Sequence, residues 1–363
     1  MINDIAIIIP SLDPNHQLAG VADGMAEAGF TKIVLVDDGS DAEHKKVFDE
    51  VCEKHPECVR LVHEVNKGKG RALKTGFAYV AENMPEVIGA ITIDGDGQHK
   101  PEDAVKLADA LRGGNGELVL GVRDFSRSNK DVPWHNGVGN RLTSFFFRVL
   151  FGTRCSDTQT GLRAVPAAWL TRFCDEISGE RFEYEMNMLI YASESGMGIS
   201  EVPIRTIYDG SNEHSHFNVV KDSFKIYAML FGKSQFPRQL ASSLLCTLLD
   251  LGIFTLLNQV VLKGLANASR IFFSTAVARV ISATANFTIN RNVVFRSRSS
   301  VKQSFPRYVA LAIAQMLLSW LCVTAITTIA GRTGFIQTVF KLIVDVVLAF
   351  LSFVVQKYWV FKK

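Results

Sequence analysis

The last third of the chain sets the strongest limit on how it can fold. From residue 238 onward four apolar stretches, roughly Leu240–Leu262, Ile271–Ile289, Tyr308–Ala330 and Thr338–Gln356, alternate with short polar connectors. Each approaches the roughly 20 apolar residues that a helix needs to cross hydrocarbon. A spanning backbone must satisfy its own hydrogen bonds, so residues 238–363 are expected to form an all-α transmembrane domain of four helices. The connector between the second and third stretches carries Arg291, Arg296, Arg298, Lys302 and Arg307, and the tail carries Lys357, Lys362 and Lys363. The positive-inside rule then puts that connector, both termini and the whole preceding domain in the cytoplasm of a multi-pass cell-membrane protein. Asp250, Arg279, Lys341 and Asp345 fall inside the stretches, where a charge is costly unless it is paired or lines a polar path. Lys341 and Asp345 are four apart and can pair on one helix; Asp250 and Arg279 suit a pair between helices.

The preceding residues alternate between two periods. Ile5–Ile9 reads as a strand ending at Pro10, Leu18–Ala28 as a helix, and Lys32–Val36 as a strand running into Asp37-Asp38-Gly39-Ser40. Ser40 with Glu43 forms a capping-box pattern for a helix over Asp41–Lys54. Val59–His63, Val87–Ile93, Leu118–Val122 and Ile199–Pro203 read as further strands. Helices are expected from Gly70 to Asn83, Pro101 to Arg112, Ala167 to Cys174 and Phe182 to Ser193. This alternation predicts a Rossmann-like α/β domain with a mostly parallel sheet covered on both faces. Leu142–Gly152 is dense in apolar residues around Arg148, which fits either a segment lying in a bilayer surface or a core helix. Residues 217–237 mix aromatic side chains with Lys221, Lys225 and Lys233, the pattern of an amphipathic juxtamembrane helix. The net charge of +3 selects no partner, and nothing in it calls for nucleic acid. The six cysteines lack zinc-like spacing and are expected to be free thiols.

The chemistry concentrates where Ile91-Thr-Ile runs into Asp94-Gly-Asp96-Gly-Gln98-His99. Two carboxylates spaced i, i+2 stand at the carboxyl end of a buried strand, the edge at which open α/β sheets bind ligands. Hard oxygen donors on a tight turn suit Mg2+ or Mn2+ with a diphosphate completing the shell. The alternative is an ordinary Asp-Gly turn. Gly68-Lys-Gly-Arg-Ala-Leu-Lys74-Thr75 nearly spells a P-loop, but Leu73 stands where that motif needs glycine. Lys67, Lys69 and Arg71 remain as bases able to touch a diphosphate.

Taken together, Ile7-Ile-Ile-Pro10, Val36-Asp-Asp-Gly-Ser40, Asn66-x-Gly-Lys-Gly70, Asp94-Gly-Asp-Gly-Gln98-His99, Gly121-Val-Arg123 and Asp157-Thr-x-Thr-Gly-x-Arg163 resemble family 2 glycosyltransferases of the dolichol-phosphate mannose synthase type. Asn286-Phe-x-x-Asn290-Arg291-x-x-Val-Phe295 and Tyr358-Trp-Val-Phe361 are similar to GtrA-like membrane domains. The resemblance implies a GT-A fold over residues 1–216 and an enzyme that moves a sugar, with inversion, from a nucleotide-sugar to polyprenyl phosphate. It implies a metal held by Asp94, Asp96 and Gln98. It also implies nucleotide contacts from Pro10, Asp13, Asp37, Asp38, Lys67, Gly70, Asp94 and Gly95. For the acceptor phosphate the basic candidates are Arg123, Arg141, Arg163, Arg205 and His216, with Asp96, Arg123, Arg141 and Arg163 expected at the reaction itself. A homo-oligomer is compatible with all of this.

Two departures bear on the sugar. The family's Pro-x-x-Asn-Glu is here Pro10-Ser-Leu-Asp13-Pro14-Asn15, and its Ser-Lys pair after the last strand is here Ser215-His216-Phe217. The second is more similar to bacterial glucosyltransferases and favours a UDP-sugar such as UDP-glucose; a GDP-mannose-dependent synthase is the alternative. A flippase of lipid-linked sugars, with the membrane domain as translocator, is the competing function of another class. A processive polysaccharide synthase is disfavoured, because its Gln-x-x-Arg-Trp motif does not occur.

Overall fold

A computed structural model describes residues 1–125, 134–205, 219–330 and 335–362. His216, expected at the acceptor phosphate, lies outside the described residues. The chain divides into two compact units, Met1–Leu230 and Phe231–Lys363.

The first unit is built on a mixed seven-stranded sheet. Its strands are β1 (Ile5–Ser11), β2 (Ile33–Asp37), β3 (Cys58–Val62), β4 (Gly89–Thr92), β5 (Leu118–Arg123), β6 (Arg163–Pro166) and β7 (Ile199–Ile204), in the order β3-β2-β1-β4-β6-β5-β7. All neighbours pair in parallel except β6, which runs antiparallel to both β4 and β5. Strand alternation sorts the core. Ile5, Ile7 and Ile9 pack with Leu18, Met25, Phe48 and Leu107, from α1 (Gln17–Glu27), α2 (Lys45–Lys54) and α4 (Pro101–Gly113), with α3 being Lys69–Asn83. Ile8 faces the other way, onto α3. A Cβ at Gly76 would come within 2.5 Å of Ile8 Cγ2, so glycine there lets α3 press against the sheet. Further along that layer, Phe77 meets Phe173 of α6 (Ala167–Asp175) edge to face.

Three local expectations change. The capping box at Ser40 does not form: Ser40 Oγ accepts the Asp13 amide, while Asp41 Oδ1 accepts the amides of Glu43 and His44 ahead of α2. An acid one residue later takes the N-terminal donors, as helix polarity favours. The polar run Ser156-Asp157-Thr-Gln-Thr160-Gly161-Leu-Arg163, whose composition reads as a turn, ends in β6, a buried four-residue strand. The segment around Leu142 belongs to α5 (Trp134–Phe151), which combines both expected characters. Phe147 and Leu150 are buried, whereas Val138, Leu142 and Phe145 form an exposed apolar stripe at helical spacing. After α7 (Glu183–Ser195) and β7, α8 (Val219–Lys233) carries Tyr227 against Phe146 of α5.

The second unit holds four long helices: α9 (Phe236–Leu256), α10 (Asn267–Ile289), α11 (Val301–Ala330) and α12 (Phe335–Val355). A π turn follows three of them, at Leu257–Val261, Asn290–Val294 and Gln356–Val360. Among the described residues, three segments are long and apolar enough to cross a membrane: Phe236–Val261, Val301–Ile326 and Val339–Val360. The expectation of four spans is not met in full. α10 carries Arg270, Arg279 and several polar side chains, and does not reach the same apolar character. Leu244, Leu248, Met316, Trp320, Leu342 and Val346 are among the many exposed apolar side chains, as lipid-facing positions require. Asp250 pairs with Arg279 at 3.5 Å and accepts from Ser282 at 2.8 Å, and Lys341 pairs with Asp345 at 2.8 Å. All six cysteines are free.

Candidate active site

The carboxyl ends of β1, β2 and β4 bring the predicted acids to one edge of the sheet. Asp37 is fully buried; Arg60 donates to it at 2.7 Å and the Ser40 amide at 2.8 Å. Burial alone would raise the Asp37 carboxyl, but these donors outweigh it and hold its pKa below the usual range. Asp38 accepts from the amides of Lys67 and Gly68 at 3.0 and 2.7 Å and from His63 at 2.7 Å. It therefore shapes the loop that opens α3. Lys67 itself is exposed, Pro10 is buried in β1, and exposed Asp13 accepts the Asp41 amide. Gly70 owes its identity to packing: a Cβ there would come within 2.5 Å of Tyr184 Cβ. Gly95 faces Ser11 Oγ and Leu18 in the same way, at 3.1 and 3.3 Å.

Asp94 sits at the centre of this edge. Lys69 Nζ lies 2.8 Å from it and 3.0 Å from Glu185 on α7, so one ammonium bridges two carboxylates. Burial pushes the Asp94 carboxyl up, and Lys69 with His99 more than offsets this, leaving it below the usual range. Partial desolvation and the charge of Asp94 push Asp96 the other way. His99 is held below its ordinary value by burial; its Nε2 is 3.9 Å from Asp94, and its buried Nδ1 has no hydrogen-bond partner among the described residues. While the cluster of three whose ligand atoms lie within 4.8 Å of one another among the described residues is Asp13, Asp41 and His44, Asp94, Asp96 and Gln98 offer oxygen donors of the kind a hard divalent cation takes. Such a cation would also relieve the repulsion between the two acids. Gly161 crowds the same point, since a Cβ there would fall 2.2 Å from Asp94 Oδ2.

The arginines divide. Arg123 and Arg141 line one cavity of about 400 Å³, joined there by Arg148 and Arg154. Arg123 makes a two-pronged pair with buried Asp157, at 2.6 and 2.9 Å, and lies over the Phe125 ring. Arg141 donates to the Phe125 carbonyl. Arg163 is elsewhere: it is 1 % exposed and spends its guanidinium on the carbonyls of Thr160, Glu185 and Thr158, which fixes the loop carrying Gly161. Exposed Arg205 donates its amide to Asp103 and does not line the cavity. Sequence reasoning missed Arg148 and Arg154 as cavity residues, although the density of bases around α5 marked the region. It also missed Glu185, for which no local signal existed.

The acids at the sheet edge and the arginine-lined cavity stand in one α/β unit, and the relatives of this chain identify that unit as a sugar-transferring enzyme. The comparisons agree: residues 7–172 match Glycosyl transferase family 2, and residues 239–361 match the GtrA/DPMS transmembrane domain. The chain is similar to the UDP-N-acetylglucosamine–dolichyl-phosphate N-acetylglucosaminyltransferase of Methanococcus voltae, 30% identical over 62% of this chain and 94% of that one. It also resembles the polyprenol monophosphomannose synthase of Mycolicibacterium smegmatis, 26% identical over 61% of this chain and 84% of the relative. The undecaprenyl-phosphate mannosyltransferase of Micrococcus luteus is 28% identical over 47% of this chain and 70% of its own length. The chain belongs to glycosyl transferase family 2, in the form joined to a GtrA/DPMS membrane domain.

Proposed function

We propose that the enzyme transfers a hexose or N-acetylhexosamine from a nucleotide-sugar to polyprenyl phosphate at the cytoplasmic membrane face, with inversion at the anomeric carbon. The observation that carries this reading is the cavity of four arginines beside the exposed stripe of Val138, Leu142 and Phe145. Cations that hold a phosphate, next to an apolar face that rests on lipid, suit an amphiphile with an anionic head. The relatives' names support the same acceptor class, and the name of the Methanococcus voltae relative supports a UDP-sugar donor. The mannosyl relatives support GDP-mannose as the second reading.

The residues account for the reaction without a strong general base, because the acceptor phosphate is already an anion. Arg123, held rigid by Asp157, and Arg141 with Arg148 and Arg154 would orient one phosphate oxygen toward the anomeric carbon. Asp94, Asp96 and Gln98, with His99 behind them, would hold Mg2+ or Mn2+, whose charge compensates that developing on the departing diphosphate. Lys69 keeps its proton between Asp94 and Glu185 and fixes Asp94 in place.

Initial rates against each substrate test the assignment. Arg141→Ala and Arg154→Ala should each raise the KM for polyprenyl phosphate by about one to two powers of ten, the worth of a charge-assisted contact of roughly 1.5–3 kcal/mol. The donor KM should change little, and lysine should rescue only in part. Equal losses toward both substrates would move these arginines to the donor diphosphate.

A further inference from the structure

The membrane unit repeats itself. Lys233-x-x-Phe236-Pro-Arg238-x-x-Ala241 at the start of α9 returns as Lys302-x-x-Phe305-Pro-Arg307-x-x-Ala310 in α11. At the far end of each pair, Phe287-x-x-Asn290-Arg291-x-x-Val-Phe295 returns as Phe353-x-x-Gln356-Lys357-x-x-Val-Phe361. The structure carries the repeat into space. The π turns at Asn290–Val294 and Gln356–Val360 occupy equivalent positions. Phe236 meets Phe353 at 5.4 Å, and its counterpart Phe305 meets Phe287 at 5.2 Å. Phe295 with Phe353 (5.9 Å) mirrors Phe361 with Phe287 (5.7 Å), while Phe295 and Phe361 stack on one another at 5.3 Å. Each half thus inserts its rings into the other, as two hairpins related by an approximate two-fold axis do.

A cavity of about 260 Å³ opens between these halves. Its polar wall comes from Gln239, Ser243, Asn286, Gln315, Ser352 and Gln356, and Phe236 and Tyr308 add ring surface. Among the described residues no carboxylate, ammonium or guanidinium lines it. Two amide relays hold the wall, again as equivalents: Asn290 donates to Asn286 at 2.5 Å and Gln356 to Ser352 at 3.1 Å. Among the described residues Asn290 Oδ1 is buried without a partner, and the side-chain amides of Gln239 and Gln315 line the cavity. Gln239 is only 5 % exposed. An unspent amide in an apolar unit is costly unless a ligand or water meets it. The lining is neutral, so it suits hydroxyl groups better than a phosphate. The volume lies just below the roughly 300–1,000 Å³ of ordinary ligand pockets, enough for a single small ring and too small for a nucleotide. Binding between structural repeats is also where membrane proteins place polar ligands.

We propose that this two-fold cavity binds one uncharged hexose ring, the head of a glycosylated prenyl lipid. The inference rests on the proposed activity for the origin of that lipid. The amides of Gln239 and Gln315 hydrogen-bond the ring hydroxyls, and Phe236 and Tyr308 cover its apolar face.

The test uses the full chain in nanodiscs and a farnesyl-phosphoryl-hexose probe bearing a diazirine on the sugar, made with glucose and with mannose. Light-induced labelling should fall on residues 236–243 and 308–315. Unlabelled farnesyl-phosphoryl-hexose should compete at least tenfold better than farnesyl phosphate. Gln239→Leu with Gln315→Leu should cut that labelling at least tenfold. Ser243→Met, which fills the cavity from a different position, should do the same with the thermal midpoint kept. Labelling spread over lipid-facing Leu244 and Trp320, or competition by farnesyl phosphate alone as strong as by the glycosylated lipid, overturns the proposal. Because labelling needs no turnover, failure of sugar transfer to polyprenyl phosphate would refute the proposed activity and leave the cavity result standing.

Discussion

Gly161→Ala isolates the position of a single carboxylate. The added Cβ would stand 2.2 Å from Asp94 Oδ2 and 2.8 Å from its Cγ, where ordinary contact begins near 3.4 Å. The Asp94 carboxylate must therefore retreat by more than 1 Å, out of the grip of Lys69, which now lies 2.8 Å away. It is the end of a side chain and can move, and Gly161 has no left-handed φ that would strain an alanine. The fold should survive while the position of Asp94 does not. A misplacement of about 1 Å in a reacting constellation costs around a hundredfold, or about 2.7 kcal/mol of transition-state stabilisation. The assay is transfer of labelled sugar to polyprenyl phosphate by purified full-length chain, with the thermal midpoint measured in parallel. Expected is a loss of about a hundredfold in kcat/KM with an unchanged midpoint. Gly95→Ala is the control, since its Cβ meets Ser11 Oγ at 3.1 Å and needs a shift of only a few tenths of an ångström. Wild-type kcat/KM in Gly161→Ala would refute the view that Asp94 must stand where it does.

Arg60→Met should destabilise by about 3–5 kcal/mol, because it leaves Asp37 buried and unpaired. In the native protein the depressed pKa of Asp37 contributes stability above the unfolded value of about 3.9 and loses it as pH falls through the lower folded value. In the variant that carboxyl is raised instead, so the loss in thermal midpoint should be larger at pH 7 than at pH 4; equal losses would refute the pairing. Chelation should abolish transfer, and Mg2+ or Mn2+ should restore it; turnover in excess chelator would remove the cation from the reaction. Reporters placed after Lys363 and within the Arg296–Lys302 connector should both read as cytoplasmic in a fusion assay, and an external signal at either would overturn the orientation.

The buried strands β1, β2, β4 and β5 were legible because each is a run of apolar, mostly β-branched residues closed by a polar turn. β6 was not: four residues starting with Arg163 look like a loop until the guanidinium is seen turned onto main-chain carbonyls inside the unit. The acids at the strand ends were legible for the same reason as the strands. Their partners were not, since Lys69 meets Glu185 across 116 positions and no local pattern records such a pair. Arg163 and Arg123 look equivalent in sequence, yet one is spent on the backbone and the other opens onto a cavity. In the membrane unit, hydropathy located the four helices, three of which lie in segments long and apolar enough to cross a membrane among the described residues. The internal repeat was present in the letters, but it needs a different offset for each helix of the pair.

The antiparallel placement of β6 between β4 and β5 has a consequence for how this enzyme could diversify. The excursion after Arg123 leaves the sheet at the end of β5 and re-enters on β6 beside it, where the ladder pairs Leu120 with Arg163. Everything that lines the arginine cavity is carried on that single excursion or on the strand that begins it, and the excursion meets the acids of β4 at its last turn, where Gly161 stands against Asp94. Such a segment is a cassette. Its cavity-lining part can change in length without re-registering the sheet, whereas the Gly161 turn that closes it has to be kept, because it stands against Asp94.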